Sequence, residues 1–585
     1  MRVVDAVAQY FVNEGVEHYF GYIGGTIWPF LDALIDKPQL KGIQPKHEAA
    51  AVQMADAYFR LKHKIAPVIV TKGPGVLNTV CALSNAMHDS SAVVLISGAG
   101  ATQFFDRGGF EEIYYHQNED TTSVFRPIVK RAWLVVRPEH TLDVMARAFK
   151  TALSGRPGPV FVQLPWDIQN TEIDFPVPSP KTLRAEGRVR GDSKAVKRAA
   201  ELLYSASKPL IVVGGGAMTS EALPEILRLS RNYNAAIVTS LNAKGYVPDT
   251  EALSLGQIGR SGSGAANEST READVVLSVG CRFTDWDTVN WRPNVVFNFP
   301  QSKLIHIDID PGEIGRSYHT EVGIVGDAKA TLEDILTVMD SMSSGGQPKA
   351  KSWAETIAKR KSDWDQILSK DLLSDASPIH PGRLLNEVRK AAPPNTIFFN
   401  DIGDIIQYGQ GYLKILEPST WYINGGMMQM GWAAAAALTG KLLYPDRPCI
   451  TLLGDGAFLM SSNVVATAVE YNLPAIWIVL NNYGPNLERK AQIGLYGRSH
   501  PWGTFSKDGT KNFYNPDFVK IAEACGAKGT NVKTPSEIHK AVVNAINSKT
   551  PYVINVDMNR DAPSYFAPGM TRGYPKSWSE LAPHL

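Results

Sequence analysis

The stretch from Thr451 to Gly484 places oxygen-bearing side chains at the ends of two strand-like runs. The first apolar run ends in Gly-Asp-Gly around Asp455, a helix-length segment follows, and the second run ends in Asn481 and Asn482. Parallel strands that are joined by one helix end at the same edge of a sheet. We therefore expect these side chains to emerge together and to act on one ligand.

The chemistry that suits this arrangement is the binding of a diphosphate through a divalent cation. Free backbone N–H groups at a helix N-terminus attract an anion, and an acid beside them can hold the cation that neutralises it. Asp455, Asn482 and a nearby backbone carbonyl, with phosphate oxygens and water, would complete the octahedral oxygen shell of Mg²⁺. Gly-Asp-Gly is also a common strand-to-helix turn, so that motif alone leaves a purely structural interpretation open.

Gly-Asp-Gly followed by paired asparagines at this distance resembles the cofactor-binding signature of thiamin diphosphate enzymes. The resemblance implies thiamin diphosphate and Mg²⁺ as cofactors, with Asp455, Asn482 and the carbonyl of Gly484 as metal ligands. The diphosphate would accept hydrogen bonds from backbone N–H groups of this turn. The cofactor contacts implied there are Gly454, Asp455, Gly456, Ala457 and Asn482.

The same family requires a glutamate near the N-terminus, and Glu48 fits this requirement. It follows a short strand-like segment and begins an Ala-rich helical stretch. From the residues alone, Glu48 could instead be a first-turn acid that the helix dipole favours. The resemblance implies a catalytic carboxyl in a mostly dry pocket, where burial raises its pKa and lets it share a proton with the pyrimidine N1′ of the cofactor. This proton relay promotes formation of the thiazolium ylid, which is the nucleophile of the family.

A third motif, Gly-Gly-Met-Met-Gln-Met-Gly from Gly425 to Gly431, resembles the acetolactate synthase branch of the family. The resemblance implies that Met430 is the bulky apolar residue that keeps the two cofactor rings folded toward each other. An ordinary core methionine is the alternative. The remaining cofactor contacts implied by the resemblance are Gly24, Gly25, Gly426 and Met428.

Departures from the acetolactate synthase pattern bear on the substrate. Lys72 stands before Gly-Pro-Gly where many relatives have Ser or Ala, and it could pair with a substrate carboxylate or point into solvent. Ala99 replaces a glutamine of the synthase pattern, which removes a polar contact near the cofactor. His88 and His116 are further catalytic candidates for the same cavity, with core or surface positions as their alternatives.

The middle of the chain resembles the segments with which some relatives contact FAD. These segments are Gly280–Thr288 and His306–Pro311. The resemblance implies Arg282, Asp308 and Asp327 as contacts of FAD. Related middle domains that have lost the nucleotide keep similar strands, so FAD is an optional third cofactor.

Val- and Ile-rich runs that alternate with helix-length stretches predict an α/β fold with parallel sheets. Two stretches rich in Pro, Gly, Ser or charged residues, 174–192 and 342–352, are predicted linkers. They predict a pyrimidine-binding domain at 1–178, a central Rossmann-like domain at 190–342, a diphosphate- and magnesium-binding domain at 370–560, and a tail at 561–585. The two outer domains share a strand, turn, helix and strand plan, which indicates a duplication, although any two such units resemble each other.

Composition excludes several other functions. The chain has 585 residues and a formal net charge of +1, which gives no reason to expect nucleic acid or a membrane surface as partner. No apolar stretch has the length of a signal peptide core or a membrane span, which predicts the cytoplasm. The four cysteines lack metal-binding spacing, so buried, reduced thiols are expected.

The match to the acetolactate synthase branch extends over almost the whole chain. It implies a thiamin diphosphate- and Mg²⁺-dependent enzyme in which the ylid attacks a 2-oxo acid such as pyruvate, followed by decarboxylation and addition to a second carbonyl compound. The family builds its sites between two chains, which implies a homodimer or homotetramer. The alternatives are a lyase or hydrolase that cleaves carbon–carbon bonds, of the hydroxyacyl-CoA lyase or cyclic 1,2-dione hydrolase type, a flavin-linked 2-oxo acid oxidase, and an inactive homologue.

Overall fold

The computed structural model describes residues 1–113, 121–342, 350–508 and 512–563. Its strands form three six-stranded sheets in which neighbouring strands run parallel. Half of the described strands are buried along their whole length, as expected when helices cover both faces of a parallel sheet. The predicted α/β fold with three parallel-sheet domains is therefore confirmed. Among the described residues, no helix has both the length and the apolar character needed to cross a bilayer.

The first sheet occupies the N-terminal part of the chain. Its strands are β1 (His18–Tyr22), β2 (Lys41–Ile43), β3 (Val68–Val70), β4 (Val94–Ala99), β5 (Arg131–Leu134) and β6 (Val160–Pro165). Its helices are α1 (Val3–Asn13), α2 (Trp28–Ile35), α3 (Glu48–Lys62), α4 (Pro74–Leu77), α5 (Val80–His88), α6 (Thr122–Phe125), α7 (Thr141–Leu153) and α8 (Trp166–Asn170). The spatial order of the strands is β2-β1-β3-β4-β6-β5.

The central sheet has the strand order of a doubly wound nucleotide-binding fold. Its strands are β7 (Pro209–Val213), β8 (Ala236–Thr239), β9 (Ser254–Gln257), β10 (Val275–Val279), β11 (Lys303–Asp308) and β12 (Val322–Val325). Its helices are α9 (Ser193–Ser205), α10 (Gly215–Thr219), α11 (Leu223–Tyr233), α12 (Gly264–Glu272), α13 (Asp285–Thr288) and α14 (Ala328–Met342). The spatial order, β12-β11-β10-β7-β8-β9, agrees with the Rossmann-like prediction.

The third sheet repeats the topology of the first. After α15 (Lys351–Leu372), its strands are β13 (Ile397–Asn400), β14 (Trp421–Ile423), β15 (Cys449–Gly454), β16 (Ile476–Asn481), β17 (Lys528–Val532) and β18 (Tyr552–Asp557). The helices of this part are α16 (Pro381–Ala391), α17 (Asp404–Tyr412), α18 (Trp432–Leu443), α19 (Asp455–Ser461), α20 (Val464–Glu470), α21 (Asn486–Tyr496), α22 (Phe518–Ala524) and α23 (Pro535–Ser548). The order β14-β13-β15-β16-β18-β17 is the same permutation as in the first sheet, which supports the predicted duplication.

The chain divides into two compact units. One contains 1–187, 424–446 and 461–474, and the other contains 188–423, 447–460 and 475–585. The first unit thus combines the first sheet with α18 and α20, and α18 packs along α3 within it. The second unit contains the central and third sheets. Of the predicted linkers, 342–352 includes 343–349, and the predicted tail includes 564–585, both outside the described residues.

The prediction of buried cysteines is only partly right. Cys281 and Cys449 are buried, Cys525 is half-buried, and Cys81 is exposed, while all four are free thiols. Cys81 lies on the solvent side of α5, whose opposite side carries the buried Ala82 and Leu83. An amphipathic helix places neighbouring residues in different environments, which an apolar sequence context alone does not reveal.

His306, in β11, is a buried titratable group of the central sheet. It is 1% exposed, and its Nε2 lies 3.0 Å from the carbonyl oxygen of Cys281. Burial lowers the pKa of His306 from 6.5 to about 4. The ring is therefore neutral at physiological pH and donates its Nε2 hydrogen to this carbonyl.

The first prediction concerns the acid stability of this sheet. The unfolded chain takes up a proton at His306 near pH 6.5, whereas the folded ring does so only near pH 4, so stability falls as the pH decreases between these values. We expect this group to cost about 3 kcal/mol of folding free energy at the acid end of the window. His306→Gln keeps a donor for the carbonyl and does not titrate. Denaturant unfolding between about pH 7 and pH 4 should show a smaller slope for this variant, and equal slopes would contradict the prediction.

Candidate active site

The carboxyl ends of neighbouring strands bring predicted residues of the first unit together. Glu48 begins α3 shortly after β2, Gly24 and Gly25 follow β1, and Lys72 follows β3. Because β2, β1, β3 and β4 lie side by side and run parallel, these turns gather at one edge of the sheet. Ligands of open α/β sheets bind at this edge.

Glu48 is half-buried at the first turn of α3. Its Oε2 accepts a hydrogen bond of 2.9 Å from Nδ2 of Asn78, which follows α4. A Cβ added to Gly75 would lie 3.5 Å from Oε1 of Glu48 and 2.7 Å from Cγ2 of Thr71, so the Gly-Pro-Gly turn passes directly beside the carboxylate. Asn78 was not predicted as a site residue, and the dry pocket expected around Glu48 stays a prediction.

Thr26 connects these turns, and no sequence motif marked it. Its Oγ1 lies 2.9 Å from Oγ1 of Thr71 and accepts a hydrogen bond of 3.2 Å from the backbone N–H of Lys72. The neighbouring turns approach so closely that side chains would not fit. A Cβ on Gly98 would lie 2.3 Å from Oγ1 of Thr26, and a Cβ on Gly24 would lie 2.4 Å from Cβ of Thr71. The glycines at this edge therefore allow the turns after β1 and β3 and the end of β4 to pack around the hydroxyl of Thr26.

Lys72 is buried and has a charged partner. Its Nζ lies 3.0 Å from Oε1 of Glu112, and the two side chains are 9% and 6% exposed. The structure thus excludes the solvent-facing alternative for Lys72. The segment that carries Glu112 also covers the Gly-Pro-Gly turn, since a Cβ on Gly73 would lie 2.4 Å from the carbonyl oxygen of Glu111. Glu112 was not predicted, because its partner is 40 residues away in sequence.

The Gly-Gly-Met-Met-Gln-Met-Gly segment is held in the first unit by buried carboxylates. The backbone N–H of Gly426 donates to Oδ1 of Asp89 at 2.8 Å, and Nε1 of Trp432 donates to Oδ2 of Asp56 at 2.8 Å. Arg60 bridges the two acids, with ion pairs of 2.7 Å to each. One guanidinium thus holds two carboxylates in a buried network that fixes both ends of the segment.

The predicted residues of this segment and the two histidines differ in their placement. Met428 has a left-handed backbone (φ +59°), and both Met428 and Met430 are half-buried. His88 is exposed at the end of α5. A Cβ added to Gly426 would lie 2.9 Å from the Cβ of His88. His116 lies outside the described residues.

Asp455 is the most enclosed of the predicted charged residues in the second unit. It begins α19 directly after β15 and is 1% exposed. Its Oδ1 accepts the backbone N–H of Gly456 at 2.8 Å, and its Oδ2 accepts the backbone N–H of Gly484 at 3.0 Å and Nδ2 of Asn515 at 2.8 Å. Burial raises the pKa of Asp455 from 3.8 to about 6, although these hydrogen bonds and one from the backbone N–H of Tyr483 oppose the rise. Asn515, which lies 60 residues away, was not predicted.

The two asparagines at the end of β16, Asn481 and Asn482, have different environments. Oδ1 of Asn481 accepts a hydrogen bond of 2.7 Å from Nδ2 of Asn515. Oδ1 of Asn482 is buried and has no hydrogen-bond partner among the described residues. A buried amide oxygen without a partner costs about 1–3 kcal/mol, so a ligand for it is expected.

Gly484 lies where a side chain would not fit. Its φ is +142°, and an added Cβ would lie 2.9 Å from the carbonyl oxygen of Gly503. The preceding Tyr483 also has a positive φ, its carbonyl oxygen accepts the backbone N–H of Phe505 at 2.7 Å, and its ring stacks on Phe513. The residues after the paired asparagines are therefore pinned against 503–505, a role for Tyr483 that the sequence did not reveal.

These oxygens fit a magnesium ion. The groups that donate hydrogen bonds to Asp455 are neutral N–H groups, so the ionised carboxylate keeps a negative charge that a cation can neutralise. The unpartnered oxygen of Asn482 supplies a second ligand of the type that Mg²⁺ prefers. A cation would also offset the burial of the Asp455 charge. Gly454 ends β15 directly before Asp455, and a Cβ added to it would lie more than 4 Å from every described residue other than its chain neighbours. Ala457, in the first turn of α19, is fully buried.

The residues predicted to contact FAD follow adjacent strands of the central sheet. Asp308 ends β11, Arg282 follows β10, and Asp327 follows β12. Oδ2 of Asp327 accepts hydrogen bonds of 2.8 Å from Nη1 of Arg188 and from Oγ of Ser220. Contact of Asp327 with FAD therefore stays a prediction that competes with these internal bonds.

Three consecutive glycines, Gly214, Gly215 and Gly216, follow β7 of the central sheet, and close packing explains two of them. A Cβ on Gly214 would lie 2.1 Å from the carbonyl oxygen of Gly280, and a Cβ on Gly216 would lie 2.9 Å from Cα of Gly280. The two turns are in direct backbone contact. The absence of side chains at these glycines thus allows the turns after β7 and β10 to pack against each other.

Comparison with known proteins agrees with this arrangement. Three family models match successive parts of the chain: the thiamine pyrophosphate (TPP) enzyme N-terminal TPP binding domain at 1–122, the central domain at 196–335, and the C-terminal TPP binding domain at 401–556. Thiamine pyrophosphate is another name for thiamin diphosphate. The three parallel-sheet domains are thus those of a thiamine pyrophosphate enzyme.

Relatives are similar over almost their whole length. A probable acetolactate synthase large subunit of Methanocaldococcus jannaschii is 34% identical over 95% of this chain and 92% of its own. The acetolactate synthase large subunit of Haemophilus influenzae and the isozyme 3 large subunit of Escherichia coli are each 31% identical over 97% of this chain and 96% of their own. The chain therefore belongs to the thiamine pyrophosphate enzyme family and is an acetolactate synthase-like enzyme. The comparisons do not favour the lyase, hydrolase and oxidase alternatives.

Proposed function

We propose that this enzyme decarboxylates pyruvate and joins the remaining two-carbon unit to a second 2-oxo acid or related carbonyl compound, with thiamine pyrophosphate and Mg²⁺ as cofactors. The observation that carries the proposal is the pair formed by the buried carboxylate of Asp455 and the unpartnered oxygen of Asn482. This pair lies in a chain that is similar to acetolactate synthase large subunits from end to end.

The residues of the chain would divide the work as follows. Asp455, Asn482 and the carbonyl of Gly484 would hold Mg²⁺, and the turn after Gly454 would bind the diphosphate. Glu48 would hold and transfer a proton at N1′ of the pyrimidine. The bound cofactor supplies a nucleophilic carbon and accepts the electron pair released on decarboxylation.

The apolar and small residues would shape the cofactor pocket. Met430 would support the folded cofactor from below, and Met428 with its left-handed backbone would border it. Gly24 and Gly426 already allow close backbone approaches within the first unit. They would let the cofactor approach the backbone in the same way.

We propose that Lys72 contributes to substrate binding while Glu112 keeps its ammonium in place. A buried ammonium near the turn beside Glu48 can pair with the carboxylate of a 2-oxo acid. The ion pair with Glu112 compensates the charge when no substrate is bound.

The second prediction separates the stability of this pair from its function. Lys72→Met or Glu112→Gln alone leaves one buried charge unpaired, and each should destabilise the protein by about 3–5 kcal/mol. The double replacement Lys72→Met and Glu112→Met removes both charges and should restore most of the stability. It should nevertheless raise the KM for pyruvate by about tenfold or more, since the anionic partner is lost. A double variant with normal stability and an unchanged KM would show that the pair is purely structural.

Further features of the enzyme are proposals with their own tests. We propose a homodimer or homotetramer as the active form, which light scattering of the purified protein would test. FAD bound through Arg282 and Asp308 would give flavin absorption bands, and a colourless, fully active enzyme would refute it. The cytoplasm is the proposed compartment, on the grounds of the composition, and cell fractionation would test it.

The proposed reaction is tested by incubating the purified protein with pyruvate, thiamine pyrophosphate and Mg²⁺. We expect acetolactate and carbon dioxide to form, and we expect neither without the metal. The Asp455→Asn variant serves as the matched control, since it is almost isosteric and lacks the charge. Consumption of a cyclic 1,2-dione or of an acyl-CoA substrate in place of pyruvate would overturn the proposal.

A further inference from the structure

A polar cavity of about 50 Å³ lies in the second unit, and none of the predicted cofactor or substrate residues line it. Its walls come from four elements that are distant in sequence. Gln257 ends β9, Lys361 belongs to α15, Gln410 belongs to α17, and Lys244 follows β8. A cavity of this size can hold a few waters or one small ion.

Buried polar atoms line this cavity without partners. Gln257 is 2% exposed and Gln410 is 3% exposed, and neither the nitrogen nor the oxygen of either amide has a hydrogen-bond partner among the described residues. The hydroxyl of Ser254, which is also 2% exposed, lacks one as well. Buried polar groups are nearly always satisfied, so five such atoms in three residues that line one cavity favour an occupant that both donates and accepts hydrogen bonds.

The cavity also has an excess of positive charge. Lys244 is 3% exposed, and its Nζ lies 3.6 Å from Oδ2 of Asp249, an oxygen that already accepts the backbone N–H of Ile415 at 2.7 Å. Nζ of Lys361 donates to the backbone carbonyls of Asp249 and Glu251 at 2.8 and 2.7 Å, so its hydrogen bonds go to neutral oxygens rather than to a carboxylate. Lys414 lies at the exposed side and is paired with an acid, Asp365, at 2.6 Å. Three ammonium groups thus face two carboxylates.

The pKa values of Lys244 and Lys361 are lowered, as expected for buried ammonium groups in a region of excess positive charge. Burial lowers the pKa of Lys244, and the nearby Lys414 lowers it further, while Asp249 acts in the opposite direction. The pKa of Lys361 is lowered by the same causes. An added negative charge would therefore be stabilised by both ammonium groups.

We propose that this cavity binds a phosphate group, either inorganic phosphate or the phosphoryl group of a small ester. Lys244 and Lys361 supply positive charge, and the amide nitrogens of Gln257 and Gln410 donate to phosphate oxygens. A phosphate that keeps one proton can also donate to an amide oxygen, which sulfate and carboxylates cannot do. The ligand connects β9, α15 and α17, so its binding stabilises the second unit against unfolding.

The test uses holoenzyme saturated with thiamine pyrophosphate and Mg²⁺, so that the cofactor's own diphosphate site is filled. Inorganic phosphate, glycerol phosphate and sulfate are titrated at constant ionic strength, and the unfolding midpoint is followed. We expect saturable stabilisation by phosphate and a much weaker response to sulfate. A larger response to the ester than to inorganic phosphate assigns the site to phosphoryl groups of small esters.

Variants of residues that line the cavity test whether phosphate raises the unfolding midpoint by binding there. Gln410→Leu removes an unpartnered amide at similar volume and should fold normally, and it should weaken the apparent phosphate affinity by about tenfold. Lys244→Met should weaken it at least as much. Lys520→Met, which removes an exposed lysine of α22, is the matched control and should bind like the wild type. An equal response of Gln410→Leu and the wild type would overturn the proposal.

A direct measurement completes the test. Crystals of the holoenzyme soaked in arsenate, a phosphate analogue that scatters anomalously, should show a peak in the cavity between Lys244 and Gln410. Ordered water alone at this position would show that the amides are satisfied by solvent, and would overturn the proposal.

Discussion

Replacing Glu48 with glutamine is expected to leave thiamine pyrophosphate bound and to slow the exchange of its C2 proton with deuterium by about 10²–10⁴-fold. Glutamine has the shape of glutamate and keeps an oxygen that can accept the hydrogen bond from Asn78. It cannot take up or release a proton near neutral pH. The replacement therefore removes proton transfer and preserves the local structure at the start of α3.

The measurement compares exchange rates by NMR after acid quench, together with the affinity for the cofactor. Glu537→Gln is a matched control, because Glu537 is also a first-turn acid, in the capping box of α23. It should leave the exchange rate unchanged. If Glu48 only balanced the dipole of α3, its replacement would lower stability slightly and leave exchange as in the wild type. That outcome would refute a catalytic role.

Replacement of Asp455 with asparagine is expected to abolish metal-dependent binding of the cofactor. The carboxylate is the only charged group among the three proposed metal ligands. The almost isosteric amide keeps one oxygen, so it can accept the hydrogen bond of Gly456 or that of Gly484 but not both. Loss of groups that merely orient metal ligands already costs about 10–100-fold in affinity, so loss of this ligand should cost more. Calorimetric titration with Mg²⁺ and thiamine pyrophosphate measures the effect.

The paired asparagines provide a sharper test of the same site. Asn482→Ala should weaken metal binding strongly, because its unpartnered amide oxygen is the proposed ligand. Asn481→Ala should weaken it much less, since the oxygen of Asn481 is already engaged by Asn515. Equal losses in the two variants would contradict the assignment of Asn482. Cofactor binding retained in the Asp455→Asn variant would defeat the metal site as a whole.

The two variants can also be combined. If each site uses Glu48 of one chain and Asp455 of another, Glu48→Gln and Asp455→Asn are complementary when mixed. Mixed dimers would contain one intact site, so that about a quarter of wild-type activity would return after unfolding and refolding an equal mixture. An inactive mixture in which mixed dimers are demonstrably present would show that both residues act from the same chain.

Much of the fold and part of the site followed from local sequence patterns. The alternation of strand-like and helical stretches predicted three parallel-sheet domains, because continuous Val- and Ile-rich runs and the 3.6-residue period of helices are local properties. Asp455 and Glu48 could be placed at helix starts for the same reason. The family signature adds Asn482 to this list, although periodicity alone does not distinguish it from Asn481.

Tertiary structure decided which partners these residues meet. Asn515 reaches Asp455 and Asn481 across 60 and 34 residues, and Glu112 reaches Lys72 across 40. Thr26 contacts Thr71 only because β1 and β3 are neighbours in the sheet. No local pattern specifies such pairs, since they depend on the strand order and on how closely the turns approach.

The sequence by itself therefore determined the class of enzyme and the side chains that could do its chemistry, because each motif lies within one strand, turn and helix. Only the tertiary structure left the oxygen of Asn482 without a partner while that of Asn481 was engaged, buried Lys72 against Glu112, and enclosed Gln257 and Gln410 around one cavity. The physical reason is that burial, hydrogen bonding and charge compensation depend on groups that are brought together by folding.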